Sequence, residues 1–208
     1  MINTTARRIS SIALLSAAAV LAPQMLGAAA DQAAAAPALT VCTVDDTHSL
    51  ALFRIQHMGA GQFWGRFNDV SGNFTFESGK AEGMKFDITI KTESVDTGVE
   101  GLNKHLRSPD FFGAKDFPTM TFKSTGAKKT GEKTFDVTGD LTMHAVTKSI
   151  VATVEFTGMA NMGKGTAAGF EATFSVKRSD FGMKYGVEKG AIGDDVKVVV
   201  ALEGGVAK

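Results

Sequence analysis

Apolar side chains recur at every second position from about residue 50 onward, and this alternation restricts the fold more than any other feature. The cleanest run has Met84, Phe86, Ile88 and Ile90 separated by polar residues. Successive side chains of a β-strand point to opposite faces, so the pattern predicts strands with one buried face. Nine such runs occur between residues 50 and 202, and glycine-containing segments typical of turns separate several of them.

The links between these runs are short, which predicts antiparallel pairing in sequential order, since parallel strands need longer crossovers. A sheet of that size avoids exposed edges by closing into a barrel or by folding into a sandwich. Leu102, His105 and Leu106 instead have helical spacing, which predicts a short amphipathic helix over residues 99–107, followed by a second capped turn to residue 112. The expected fold is an all-β antiparallel barrel of about eight or nine strands with this helical insertion near residues 99–112.

The N-terminal thirty residues are typical of an export signal. Arg7-Arg8 precedes an uncharged apolar run over residues 9–26, and Ala28-Ala29-Ala30 offers a small-residue cleavage site. We therefore predict a signal peptide over residues 1–30 cleaved after Ala30, a flexible leader over 31–40 and one barrel domain over 41–208. The arginine pair leaves both the general secretory and the twin-arginine export routes open. No second long apolar run follows, so no stable membrane insertion is expected after cleavage.

The composition narrows the partners that the chain can have. Lys and Arg together number 22, as do Asp and Glu, and this balance argues against a nucleic-acid binder, which typically carries a basic stripe. The 15 phenylalanines fall largely on the alternating apolar face. An eight-stranded barrel is just wide enough to fill with side chains or to hold one small ligand. Periodicity alone leaves open whether these rings form a dry core or line a cavity.

Residues able to carry catalysis or to bind metal are sparse. The histidines His48, His57, His105 and His144 form no closely spaced pair of the kind that binds zinc. Cys42 is the single cysteine and has no partner for an internal disulfide. No strand-to-helix nucleophile motif is present. We therefore expect no enzyme activity, no metal and no cofactor.

Nine short segments, taken in order, resemble one known family. They are VDDTHS at 44–49, FRIQH at 53–57, GRF at 65–67, SVDT at 94–97, HLRSPDFF at 105–112, FPTMTFKS at 117–124, GDLTMHAVTK at 139–148, RSDFGM at 178–183 and GDDV at 193–196. This series resembles the YceI-like family of periplasmic polyisoprenoid-binding proteins over residues 44–202. Ala145 departs from the pattern, because the family often has glycine after the histidine.

The resemblance implies a lipocalin-like barrel with a helix beside its opening and a long apolar cavity for an isoprenoid chain. A polyprenyl phosphate or an isoprenoid quinone would be the ligand, held by a periplasmic binding or carrier protein. The resemblance also makes a homodimer the candidate oligomeric state.

With a cavity expected, the alternating apolar residues become its candidate lining, although each of them also suits a plain core. They are Phe53, Ile55, Phe67, Phe74, Phe86, Ile88, Phe122, Phe135, Val137, Leu141, Val154, Phe156, Phe170 and Phe174. The candidates for contacting a head group are His57, His105, Arg107 and Arg178, since arginine binds phosphate through paired hydrogen bonds. Both arginines also have acidic sequence neighbours with which they could form structural pairs instead.

Two other functions remain open at this point. One is a hydrolase or isomerase that acts on a lipid in the same barrel, which requires a histidine and a carboxylate to meet at the pocket. The other is a stress or interaction protein without a cavity, which requires a filled interior.

Overall fold

The structure, a computed structural model, describes residues 39–161, 163 and 165–206. The predicted signal peptide and the leader up to residue 38 lie outside the described residues, so cleavage after Ala30 stays a prediction. The described elements are β1 (Thr40–Val44), β2 (Leu50–His57), β3 (Gly61–Phe67), β4 (Val70–Glu77), β5 (Lys80–Lys91), β6 (Val95–Asp96), α1 (Glu100–Arg107), β7 (Thr119–Lys129), β8 (Thr134–Met143), β9 (Val146–Asn161), β10 (Thr166–Lys177) and β11 (Ile192–Val206).

Eight antiparallel strands close into a barrel, as predicted. Their order around the ring is β1-β4-β5-β7-β8-β9-β10-β11, and pairing of β1 with β11 completes the circle. Within β1, Cys42 is opposite Phe74 of β4 on one side and Val206 of β11 on the other. Cys42 is fully buried, and this burial raises the pKa of its thiol to about 11.

The strictly sequential strand order that the short links suggested is wrong in the N-terminal part. β11 is long enough to pair with β1 near its end and with β2 over residues 192–201, and β3 and β6 extend the sheet from β2. The strand β1 therefore lies between β4 and β11. Its five residues, TVCTV, are too few to show a clear alternating apolar run, and Cys42 is the one that is buried.

Helix α1 is where the spacing predicted it, but the second helical turn is not. Residues 109–112 form turns, and Ser108 is extended with φ −71° and ψ 168°. Pro109 ends α1, because its ring disfavours helical dihedral angles in Ser108. The amides of Phe112 and Gly113 do not form α-helical hydrogen bonds, since they donate to Leu106 O and Ser108 O. Phe111 and Phe112 nevertheless pack against the barrel's apolar core.

Several phenylalanine rings of the barrel lie directly over glycines of another strand, either the adjacent one or, for Phe74, the strand beyond β1. A Cβ atom built on the glycine would come within 2.2 to 2.6 Å of a ring carbon, closer than van der Waals contact allows. The pairs are Phe53 over Gly65, Phe122 over Gly139 and Phe74 over Gly204. The glycines thus give the rings the space to lie against the wall, which connects the two residue types in which the chain is rich.

The turn between β8 and β9 offers a test of backbone strain. His144 and Ala145 both have positive φ, +53° and +59°, at positions where such turns favour Asn-Gly. Ala145→Gly should raise the free energy of unfolding by about 1 kcal/mol, because a Cβ in the left-handed region is unfavourable. Ala160→Gly, on exposed β9, is the control and should lower it by about 0.5–1 kcal/mol. Urea unfolding measures both, and equal losses would contradict the account.

Candidate functional site

One end of the barrel holds a cavity of about 540 Å³. Sites for small ligands typically measure about 300–1,000 Å³, whereas packed protein cores contain few voids larger than a water molecule. The interior is therefore not filled, which excludes the alternative of a barrel without a cavity. Side chains of α1, of residues 111 and 112 and of most barrel strands form its wall.

Most of the predicted lining residues lie in this wall, and four do not. Those in the wall are Phe53, Ile55, Phe67, Phe86, Ile88, Phe122, Leu141, Val154, Phe170 and Phe174. Phe74, Phe135, Val137 and Phe156 lie outside it, and the first three are almost completely buried in the core. Alternation identified the inward face of each strand, but it carries no information on distance along the barrel axis. Whether the wall residues contact a ligand stays a prediction.

Five phenylalanines, Phe74, Phe76, Phe86, Phe156 and Phe170, form a cluster that we call the phenylalanine floor. Phe170 is at its centre, with its ring centroid 5.3 Å from those of the other four. Such separations and tilted geometries are favourable for aromatic pairs. Because Phe86 and Phe170 also belong to the cavity wall, the floor ends the cavity and determines its depth.

The opposite end of the cavity reaches the protein surface. His57 and His105 both belong to the wall, yet His57 is exposed and the His105 side chain is 39% exposed. Leu102, Phe111 and Phe112 complete this end. These three residues belong to the predicted helical insertion, but their place in the cavity wall was not predicted, since helical spacing shows an apolar face and not what that face covers.

Arg178 belongs to the wall, but four of the five N–H donors of its guanidinium are engaged by backbone carbonyls. Nε donates to Gly193 O at 2.8 Å and Nη1 to Met183 O at 3.0 Å, while Nη2 donates to Tyr185 O and Ile192 O at 2.7 and 3.1 Å. The residue is 3% exposed, and burial lowers its pKa while the nearby Asp194 carboxylate opposes that shift. Its observed role is to hold residues 183–193 against the barrel end.

Arg107 is not in the cavity wall. It contacts the carboxylates of Glu93 and Glu100 at 3.5 and 3.2 Å and donates to the carbonyls of Glu93 and Val95. Asp110, the acidic neighbour considered from sequence, interacts with His105 instead. Arg107 thus attaches α1 to the segment before it.

His105 is the histidine of the wall that has a carboxylate partner. Its Nε2 lies 3.2 Å from Asp110 Oδ2, and its ring packs edge-on against Phe111 and Tyr185. A histidine and a carboxylate at the pocket are what the lipid-acting enzyme alternative requires.

A second group of polar residues lies outside the cavity wall. The ligand-type atoms of Asp45, His48 and Glu203 all lie within 4.8 Å of one another. The hydrogen bond from His48 lowers the pKa of Asp45, and Asp45 in turn raises the pKa of His48. The pair therefore stabilises the fold above the ordinary carboxyl pKa, and this contribution is lost as pH rises through the raised histidine pKa. Sequence spacing did not reveal this group because Glu203 is distant along the chain.

A closed antiparallel barrel with an apolar cavity is the architecture of a barrel-type binding protein. Residues 42–204 match the model of the YceI-like domain, and the chain belongs to that family, as its motifs predicted. It is 38% identical to the UPF0312 protein of Azotobacter vinelandii over 90% of this chain and 95% of that protein.

Two solved structures share the fold. The YceI protein of Campylobacter jejuni has a TM-score of 0.67 and 32% identity, covering 74% of this chain and 91% of that one. A polyisoprenoid-binding domain from Saccharophagus degradans has a TM-score of 0.63 and 18% identity, covering 80% of this chain and 98% of that domain. In the described part of the chain, no helix has the length and apolarity needed to span a membrane.

Arg178→Met tests the role of the buried guanidinium. The substitution leaves four carbonyls without their charged donor, and we expect the free energy of unfolding to fall by at least about 3 kcal/mol. Amide exchange within residues 184–191 should also accelerate. Arg66→Met, which removes an exposed ion pair with Asp96, is the control and should cost at most about 1 kcal/mol. Similar losses for both variants would refute this role.

Proposed function

We propose that this protein is a periplasmic binding and carrier protein for a long-chain isoprenoid lipid. The observation that supports it most strongly is the apolar cavity of about 540 Å³, ended by the phenylalanine floor and open beside His57 and His105. Membership of the YceI-like family supports the proposal, as does the fold shared with a domain named for polyisoprenoid binding. The predicted signal peptide supplies the route to the periplasm.

Apolar burial alone provides enough free energy for such a ligand. Removing apolar surface from water stabilises by about 25 cal/mol per Å², or about 0.8 kcal/mol for each CH₂ group. One five-carbon isoprene unit therefore contributes a few kcal/mol before ordering costs are subtracted. Several units bind without any strong polar contact.

The polar groups at the cavity favour an uncharged head group, such as that of a quinone, over a phosphate. Among the described wall residues, Arg178 is the one arginine or lysine, and four of its five N–H donors are used by backbone carbonyls. A phosphate placed there would lose its hydration without gaining a free cation, which is strongly unfavourable. The ring nitrogens of His57 and His105 suit a carbonyl or hydroxyl oxygen through a single hydrogen bond.

The His105–Asp110 contact favours one second candidate, an enzyme that acts on the bound lipid. Among the described wall residues, Thr121 is the sole bearer of a hydroxyl or thiol group, and a threonine without an adjacent base is a weak nucleophile. Product formation from a bound isoprenoid ester, lost in His105→Gln, would favour this candidate over simple binding.

Blocking the cavity tests the proposed binding site. Ala152 lines the cavity and is 3% exposed, whereas its neighbour Val151 points outward and is 57% exposed. Ala152→Trp should reduce isoprenoid binding at least about tenfold, because the indole would occupy apolar volume that the isoprenoid tail needs. Val151→Trp should bind as the unmodified protein does.

A second wall variant, Ala172→Phe, also fills part of the cavity and keeps the test valid if Ala152→Trp fails to fold. Titration with a fluorescent isoprenoid measures all three variants, with circular dichroism reporting the fold. Unchanged binding in both folded wall variants would place the ligand elsewhere.

Head-group preference is tested with two lipids that share one tail. Polyprenol and polyprenyl phosphate of equal length differ only in the head group, so the difference in their affinities reports what the phosphate adds or costs. We expect the alcohol, and a quinone of matching tail length, to bind at least about tenfold more tightly than the phosphate, because the latter is desolvated without a free cation. Calorimetry in detergent below its micellar concentration gives the dissociation constants. Equal or tighter binding of the phosphate would overturn the preference.

A further inference from the structure

Exposed apolar side chains stand on the two segments that border the cavity opening. Met58, at the tip of the β2–β3 hairpin, is 64% exposed, and Tyr185, in the segment between β10 and β11, is about half exposed. Neither belongs to the cavity wall, but each adjoins a histidine that does: Met58 follows His57 in the chain, and the Tyr185 ring lies 5.2 Å from that of His105. We call Met58, Tyr185 and residues 184–191 the mouth rim.

Backbone hydrogen bonds join the parts of the mouth rim into one structure. The Met58 amide donates to Ala191 O at 2.7 Å, and the Ala191 amide donates to Gly186 O at 3.0 Å. The Tyr185 carbonyl is in turn held by Arg178. The exposed side chains are therefore presented on a fixed frame.

Met58 is an unusual residue for its position. It and Gly59 are the central residues of the turn closed by the bond from Ala60 N to His57 O, and both have positive φ, +53° and +70°. Turns with positive φ at both central residues favour Asn-Gly, and bulky side chains are rare there. Local departures from turn preferences of this kind concentrate at functional sites.

The outer surface beside the mouth rim has features that suit a membrane interface. Trp64 is exposed on β3, and the Arg54 guanidinium carbon lies 5.8 Å from its ring centroid. Trp64 is three residues from the strand start at Gly61, about 10 Å along the strand. Lys184, Glu188 and Lys189, all in the segment 184–191, are also exposed. Tryptophan and tyrosine favour the membrane–water interface, and lysines approach lipid phosphates.

We propose that the mouth rim docks on a phospholipid bilayer carrying anionic head groups, with Met58 and Tyr185 inserted, so that the cavity opening faces the membrane. This inference rests on the proposed function: an isoprenoid tail cannot cross water unaided at useful rates, so it must enter or leave where the opening meets lipid. Single apolar side chains on protruding tips suit insertion about 5–10 Å into the interface. A protein partner would instead favour a broad, complementary apolar surface.

Vesicle binding by the processed protein tests the docking. Trp64 is the single tryptophan, so its fluorescence reports this face without a label. With vesicles of phosphatidylethanolamine and phosphatidylglycerol, we expect a blue shift and co-flotation, both weaker on purely zwitterionic vesicles. Met58→Asn removes the apolar group while preserving the turn, since asparagine tolerates positive φ. It should weaken vesicle partitioning about tenfold, the scale expected for one buried methionine side chain.

Met159→Asn is the matched control, because this methionine is 46% exposed at the opposite end of the barrel. Met159 pairs with Ala168 of β10. Arg178, at the mouth end, follows ten residues after Ala168, so the two residues are about 30 Å apart along the strand. This variant should bind vesicles as the unmodified protein does. Equal losses in the two variants, or no loss in Met58→Asn, would overturn the proposal.

Two further measurements separate docking from ligand binding and from self-association. Met58→Asn should bind a detergent-delivered isoprenoid normally but extract it from vesicles about tenfold more slowly, in step with its weaker partitioning. If no isoprenoid binds while vesicle partitioning still depends on Met58, docking stands and the proposed function fails. If Met58→Asn instead converts a dimer to a monomer in size-exclusion chromatography and vesicle binding is absent, the mouth rim is a contact between copies and docking is wrong.

Discussion

Closure of eight strands into one ring is the constraint on which the rest of the structure depends. A ring of that size encloses a space that side chains can just fill, so the choice of residues at each level decides between core and cavity. At the closed end, the phenylalanine floor fills the space, and Gly204 gives the Phe74 ring room against the wall. At the other end, β11 pairs with β2, which is outside the ring, and β3 and β6 extend the sheet from β2. A cavity remains at this end.

The open end is organised by one buried charge that no substrate needs to contact. Arg178 donates hydrogen bonds to four backbone carbonyls and thereby holds the segment that contains Tyr185 in place. The same bonds leave one of its five N–H donors for a ligand. One residue thus links the stability of the mouth, the proposed preference for an uncharged head group and the rigid presentation of the mouth rim.

The sequence was sufficient for the barrel, the helix and most inward faces, because alternation and helical spacing are local signals. It could not show depth along the axis: Phe86 and Phe74 look alike in sequence, yet one lines the cavity and the other is packed beyond it. It also missed β1, which closes the ring but is too short to show a clear apolar alternation. The four carbonyl partners of Arg178 come from residues 183–193, and nothing in side-chain identity marks a carbonyl as an acceptor for a distant arginine.

The central claim, carriage of an isoprenoid in the cavity, is tested most directly by what the protein holds when it leaves the cell. The measurement is organic extraction of protein purified from its native periplasm without detergent, followed by mass spectrometry of the extract. An uncharged isoprenoid should be present at close to one molecule per chain, and at a much lower ratio in the Ala152→Trp variant. Protein that is free of isoprenoid, or that carries an equal amount of the lipid in that folded variant, would contradict carriage in the cavity.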